Sequence, residues 1–138
     1  MTDYFNPIAG PVGYNQRGEL VVGGVTIPAD TLGSLSAYGG YEAATLVANA
    51  ATITKRWAVI TTEALTTAAG ASEAFVITLA GALADSPAFV TRAGGTNTRR
   101  NYDYDVVTTA DTVTVTVYNN EPANALNGTL IFSLWVVG

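Results

Sequence analysis

Seven consecutive residues, Thr112-Val113-Thr114-Val115-Thr116-Val117-Tyr118, alternate hydroxyl-bearing and apolar β-branched side chains up to a closing tyrosine. In an extended chain successive side chains point to opposite sides, so Val113, Val115 and Val117 share one face and the threonines take the other. A helix cannot sort a pattern of period two. The valine face has to be buried, and one strand cannot bury it alone. The segment therefore demands a sheet with a second layer packed beneath it.

The device recurs. Phe75, Ile77 and Leu79 stand against Val76 and Thr78, and short alternating runs predict strands at 57–62, 74–79, 88–93, 104–108, 112–118 and 129–137. Between them lie Ala69-Gly70-Ala71-Ser72, Asp85-Ser86-Pro87, Gly94-Gly95-Thr96-Asn97 and Asn119-Asn120-Glu121-Pro122, which is turn chemistry. Such regular spacing predicts an all-β fold, an antiparallel β-sandwich or a jelly-roll-like barrel, over residues 45–138.

Residues 1–44 read differently. Asn6-Pro7, Gly10-Pro11, Gly13-Tyr14, Ile27-Pro28 and Gly39-Gly40-Tyr41 break up any long element, which predicts an extended Gly/Pro-rich N-terminal arm. One short hairpin is expected at 19–27, where Leu20-Val21-Val22 and Val25-Thr26-Ile27 flank Gly23-Gly24. Tyr4, Phe5, Ile8 and Tyr14 are too apolar for a purely solvated tail, so the arm is expected to dock. The Ala-rich segment 42–54 reads two ways, as a short helix or as strand; the alternation at Ala51-Thr52-Ile53-Thr54 favours strand.

The last strand carries the strongest statement about assembly. Leu130, Phe132, Leu134 and Val136 occupy one face, while Ile131, Trp135 and Val137 occupy the other, interrupted only by Ser133. A strand apolar on both sides is covered on both sides. In a small sandwich only one side meets the core. The second side is left for the arm, another copy or a partner, and Ile131, Trp135 and Val137 become candidate interface residues together with Tyr4, Phe5, Ile8 and Tyr14.

Charge supports the same view and narrows the function. Only 12% of residues are charged, against roughly a quarter in ordinary soluble domains. Six basic residues face eleven acidic ones, which argues against binding nucleic acid through its phosphates. With no cysteine and no histidine, thiolate or imidazole metal ligands, disulfides and a histidine base are all excluded. No signal peptide is evident, and no run approaches the ~18 apolar residues of a membrane helix. A protein folded in the cytoplasm, with no membrane partner, is the expectation.

Few residues offer chemistry. Asp103 and Asp105 share a strand face with Asp111 beyond, but no calcium-loop pattern follows them, and a solvated strand start is the favoured reading. Arg92, Arg99 and Arg100 bracket a polar loop whose guanidinium forks suit carboxylates on a partner or a glycan. They serve equally for pairing between subunits, or as a solvated hairpin tip. Tyr102 and Tyr104 complete that candidate contact loop; these two, with Tyr38 and Tyr41, are placed to stack on sugars or at an interface. Trp57 reads as core. Nothing marks an active site, and neither an enzyme activity, a metal nor a cofactor is expected.

The stretch from Thr66-Thr67-Ala68-Ala69-Gly70-Ala71-Ser72 to Leu79, then Gly95-Thr96-Asn97-Thr98, Thr109–Thr116 and the terminal Gly128–Val137, resembles tailed-bacteriophage structural proteins. It is similar to capsid decoration (cement) proteins and to head- or tail-fibre β-sandwich modules. The resemblance rests on Ala/Gly/Thr-rich turns and the Thr–Val ladder, and the arm has no counterpart in it. It implies a homotrimer made in the host cytoplasm and bound to the major capsid protein on the outer surface of the virion. Its alternative is a fibre module recognising host glycan.

Overall fold

The computed structural model describes residues 40–138, together with three short N-terminal strands, 12–14, 20–22 and 25–27. Contacts divide the chain into two units, Met1–Gly40 and Tyr41–Gly138. In the first, β1 (Val12–Tyr14), β2 (Leu20–Val22) and β3 (Val25–Ile27) form an antiparallel sheet in the order β1-β2-β3. Val22 pairs with Val25 and Leu20 with Ile27, which leaves two residues between the paired strands. β1 was not legible in the sequence, because Pro11 and Gly13 at its edge and centre read as interruption.

The second unit is a two-layer sandwich, and every described residue outside strands lies in turns or connections. Its first sheet has the order β5-β7-β10-β9, with β5 Ala50–Ile53, β7 Ser72–Leu79, β10 Thr112–Asn119 and β9 Tyr102–Thr109. The second has the order β4-β6-β11-β8, with β4 Glu42–Thr45, β6 Trp57–Thr61, β11 Ile131–Val136 and β8 Ala88–Gly94. Both sheets are mixed: β4 runs parallel to β6 and β5 parallel to β7, while the remaining neighbours are antiparallel. Only the β9–β10 hairpin stays within one sheet, and every other connection crosses between layers.

The ambiguous segment 42–54 supplies one edge strand to each sheet, so the sandwich starts at Tyr41 rather than at 45. A tight turn makes the crossing. Val47 and Ala50 exchange backbone hydrogen bonds of 2.9 and 3.1 Å around Ala48 and Asn49, whose φ angles are 51° and 61°. Two positive φ values in succession suit a hairpin turn and end any helix, which overrides the local helical preference of alanine. Asn49 is held there by donating from Nδ2 to Glu73 Oε1 at 2.9 Å.

The inner faces form one core. Phe75, Ile77, Leu79, Val113, Val115 and Val117 come from the first sheet, and Ala58, Ile60, Phe132, Leu134 and Val136 from the second; all are buried. The rings of Phe75 and Phe132 meet across the layers at 6.1 Å. Most buried polar side chains are paired, the Thr108 hydroxyl in β9 being an exception among the described residues. Asn119 donates to the carbonyls of Thr67 and Asn124, and Thr62 Oγ1 accepts from Leu130 N at 2.9 Å. Two connections are wired together beside them: Thr98 N donates to Asn127 Oδ1 at 2.8 Å, and Asn127 N to Asn97 Oδ1 at 3.1 Å. Gly95 makes that approach possible, since a Cβ there would lie 2.2 Å from Thr129 O, and its φ of +114° suits glycine alone.

Candidate interaction surface

The outward face of the second sheet is where the sequence-predicted and structure-revealed residues converge. The register aligns them in rows. Trp57, Trp135 and Phe89 lie side by side across β6, β11 and β8. Beneath them run Ala43, Val59, Ser133 and Thr91, and then Thr45, Thr61 and Ile131. No residue on this face of the four strands carries a charge.

The aromatic row is ordered by its own contacts. The Trp57 and Trp135 rings stack at 4.4 Å with planes 19° apart, and Tyr41 leans on Trp57 at 5.2 Å and 48°. Trp57 Nε1 donates to Ser133 Oγ at 2.9 Å. That bond explains the single polar interruption in the last strand: Ser133 satisfies an indole N–H next to it. Trp57 is therefore a surface residue and not core, contrary to expectation. Its neighbours Ala58 and Ile60 fill the core instead, and the run Trp57-Ala58-Val59-Ile60 is apolar on both sides, so parity alone could not tell which side faced inward.

Ile131 and Trp135 are half-buried on this face, and Val137, just past β11, is 37% exposed. Phe89, which the sequence did not single out, is 59% exposed at one end of the row, and Tyr41 is exposed at the other, against Trp57. Alternation at Ala88-Phe89-Val90 was the available signal for Phe89. Tyr4, Phe5, Ile8 and Tyr38 lie outside the described residues, as does the side chain of Tyr14, whose backbone belongs to β1.

The arginine–tyrosine loop has a different character. Tyr102 is buried at 3% exposure, and the Arg92 guanidinium lies 3.9 Å above its ring. Arg92 also donates to the carbonyls of Arg100, at 3.0 Å, and Tyr102. Tyr104 packs edge-on against Tyr102 at 5.6 Å and beside Phe132 at 5.3 Å. Its hydroxyl is buried, and burial, with Tyr102 beside it, pushes the phenol well above its ordinary range. Arg99 is half-buried, with Nε lacking a hydrogen-bond partner among the described residues, and Arg100 is exposed. The two tyrosines thus belong chiefly to the sandwich wall, while Arg92 and Arg100 are exposed and Arg92 is engaged with the tyrosine edge.

The acids are dispersed. Asp103 accepts from Asn120 Nδ2 at 2.8 Å, and Asp111 accepts from Gly81 N at 2.7 Å in the hairpin turn at the other end of β9. Among the described residues no group of three acidic side chains is placed to hold a metal ion, and no helix is long and apolar enough to cross a membrane. Comparison with protein-family models, with characterised proteins and with solved structures finds no match to this chain.

Proposed function

We propose that the protein is a non-catalytic structural component of a bacteriophage particle, a decoration protein that adds to the outside of the head shell as an oligomer. The observation that carries this reading is the uncharged outward face of β4-β6-β11-β8, with its row of Tyr41, Trp57, Trp135 and Phe89. Contiguous apolar surface of this kind belongs in an interface. The resemblance of the C-terminal sequence to virion decoration modules supplies the setting. The mechanism is passive: copies bound to an assembled shell stabilise the state they bind by mass action.

The glycan-recognising alternative has less to work with. Stacking on a sugar needs an open ring face, whereas Tyr102 is buried under Arg92 and Tyr104 is packed against Phe132. Mixing the purified chain with bare heads of its own particle and sedimenting them tests the proposal. Co-sedimentation at micromolar protein is expected, and protein remaining in the supernatant would overturn it.

A further inference from the structure

We infer that the outward face of β4-β6-β11-β8 packs against the same face of a second copy, across a two-fold axis lying between the two sheets. This rests on the assembly reading above and names the partner for its exposed face.

Charge selects the partner. The chain carries a net charge of −5, so two copies repel unless they meet where charge is absent. The outward residues of this sheet, centred on Val59 and Ser133 and including Trp57, Trp135 and Phe89, contain none that is ionisable at neutral pH. The opposite outward face presents Asp103 and Asp105 from β9, and a two-fold contact there would gather four carboxylates. A two-fold interface uses one patch twice, so the patch must tolerate itself. Of the two outward sheet faces, the uncharged one does.

Hydrogen bonding prepares the same face for dehydration. Burying a tryptophan strands its N–H unless a partner is at hand. Trp57 Nε1 already has Ser133 Oγ at 2.9 Å within its own sheet, so a second copy need not supply an acceptor. Sheets pack face to face about 10 Å apart with strands nearly aligned, which would make the dimer a four-layer stack.

Size sets the strength. Four strands about 4.8 Å apart and roughly six residues long give a flat footprint of about 350 Å². A standard stable interface buries about 800 Å² per partner. A footprint under half that size makes the pair a weak, concentration-dependent one, and it yields a dimer where the resemblance to decoration proteins implies a trimer.

Sedimentation of the full chain without any shell tests this. Wild-type protein should approach twice the chain mass near ~100 µM and fall toward the monomer near ~1 µM, the range of a weak contact. Val59→Glu, at the centre of the face, should shift the dissociation constant at least ~100-fold, because two carboxylates would be buried together. Thr114→Glu, central on the opposite face, should leave it within about threefold, since rim or remote charges add little. Phe89→Glu repeats the test at a 59% exposed position that the fold does not depend on. A monomer at ~100 µM, a trimer, or equal loss with Thr114→Glu would each overturn the inference. Failure of shell binding with the dimer intact would instead count against the decoration reading alone.

Discussion

The two outward faces of the sandwich are built on the same alternation and carry opposite chemistry. On the first sheet Thr52, Thr78, Thr112 and Thr109 line up across all four strands, followed by Ala50, Val76, Thr114 and Val107, with Asp105 and Asp103 further along β9. On the second sheet the corresponding rows hold two tryptophans, a phenylalanine, a valine and an isoleucine. The inner faces do not differ in this way, since both are built on buried apolar side chains, with Thr108 and Asn119 as buried polar residues at the ends of β9 and β10. Hydroxyls keep their hydrogen bonds with water at little cost, whereas indole and phenyl surface gains by leaving water. The inward residues of a sandwich therefore report its fold, and the outward ones report what it meets.

The largest effect should come from what the two layers share. Phe75→Ala in one sheet and Phe132→Ala in the other should each cost about 3–5 kcal/mol in urea unfolding, as buried phenylalanine truncations do. A large inequality between them would break the premise that the inner faces are equivalent. A smaller effect separates the outer faces. Trp135→Ala removes a stacked, half-buried ring and should cost about 1–2 kcal/mol, whereas Thr114→Ala should stay within about 0.5 kcal/mol. Measured at low protein concentration, that contrast isolates the fold from any association. Equal costs would erase the distinction between the faces.

The smallest effect belongs to the edge of the tryptophan-bearing sheet. Glu42 is desolvated, which raises its pKa, but Thr54 N, Lys55 N and the Thr54 hydroxyl all donate to its carboxylate, and the net result is a lowered value. A carboxyl with a folded pKa below its unfolded one stabilises the fold above the unfolded pKa, and that contribution disappears as pH falls through the folded value. Glu42→Gln should flatten this acid limb of the stability curve and leave the neutral region little changed. An unaltered acid limb would show that the three donors do not hold the carboxylate in solution.

Local alternation was enough to predict β7 and β10, because Phe75, Ile77 and Leu79 or Val113, Val115 and Val117 have polar or smaller neighbours that decide which side is inward. It failed at Trp57, where both sides are apolar and the deciding fact is a pairing with Trp135 far along the chain. Tyr102 was misjudged for a related reason. Asn101 before it looks like loop, yet β9 begins at Tyr102 and turns the ring into the core. The strand reading of 42–54 matches β4 and β5, but their division between two sheets and their parallel pairing were hidden, since small residues carry no strong pattern of their own. Of the interaction surface, β11 was legible and its neighbours were not.

Arg92 has a consequence for how this protein can grow. Asn101 O accepts from Asn120 N toward β10, so the alternate carbonyls of Arg100 and Tyr102 point away from the sheet, and the Arg92 side chain occupies both. Vacant carbonyls along a border strand are an invitation to endless strand-by-strand polymerisation. Where β9 starts, that invitation is withdrawn by a cation that no incoming backbone can easily displace. Strand addition is thereby discouraged at this border.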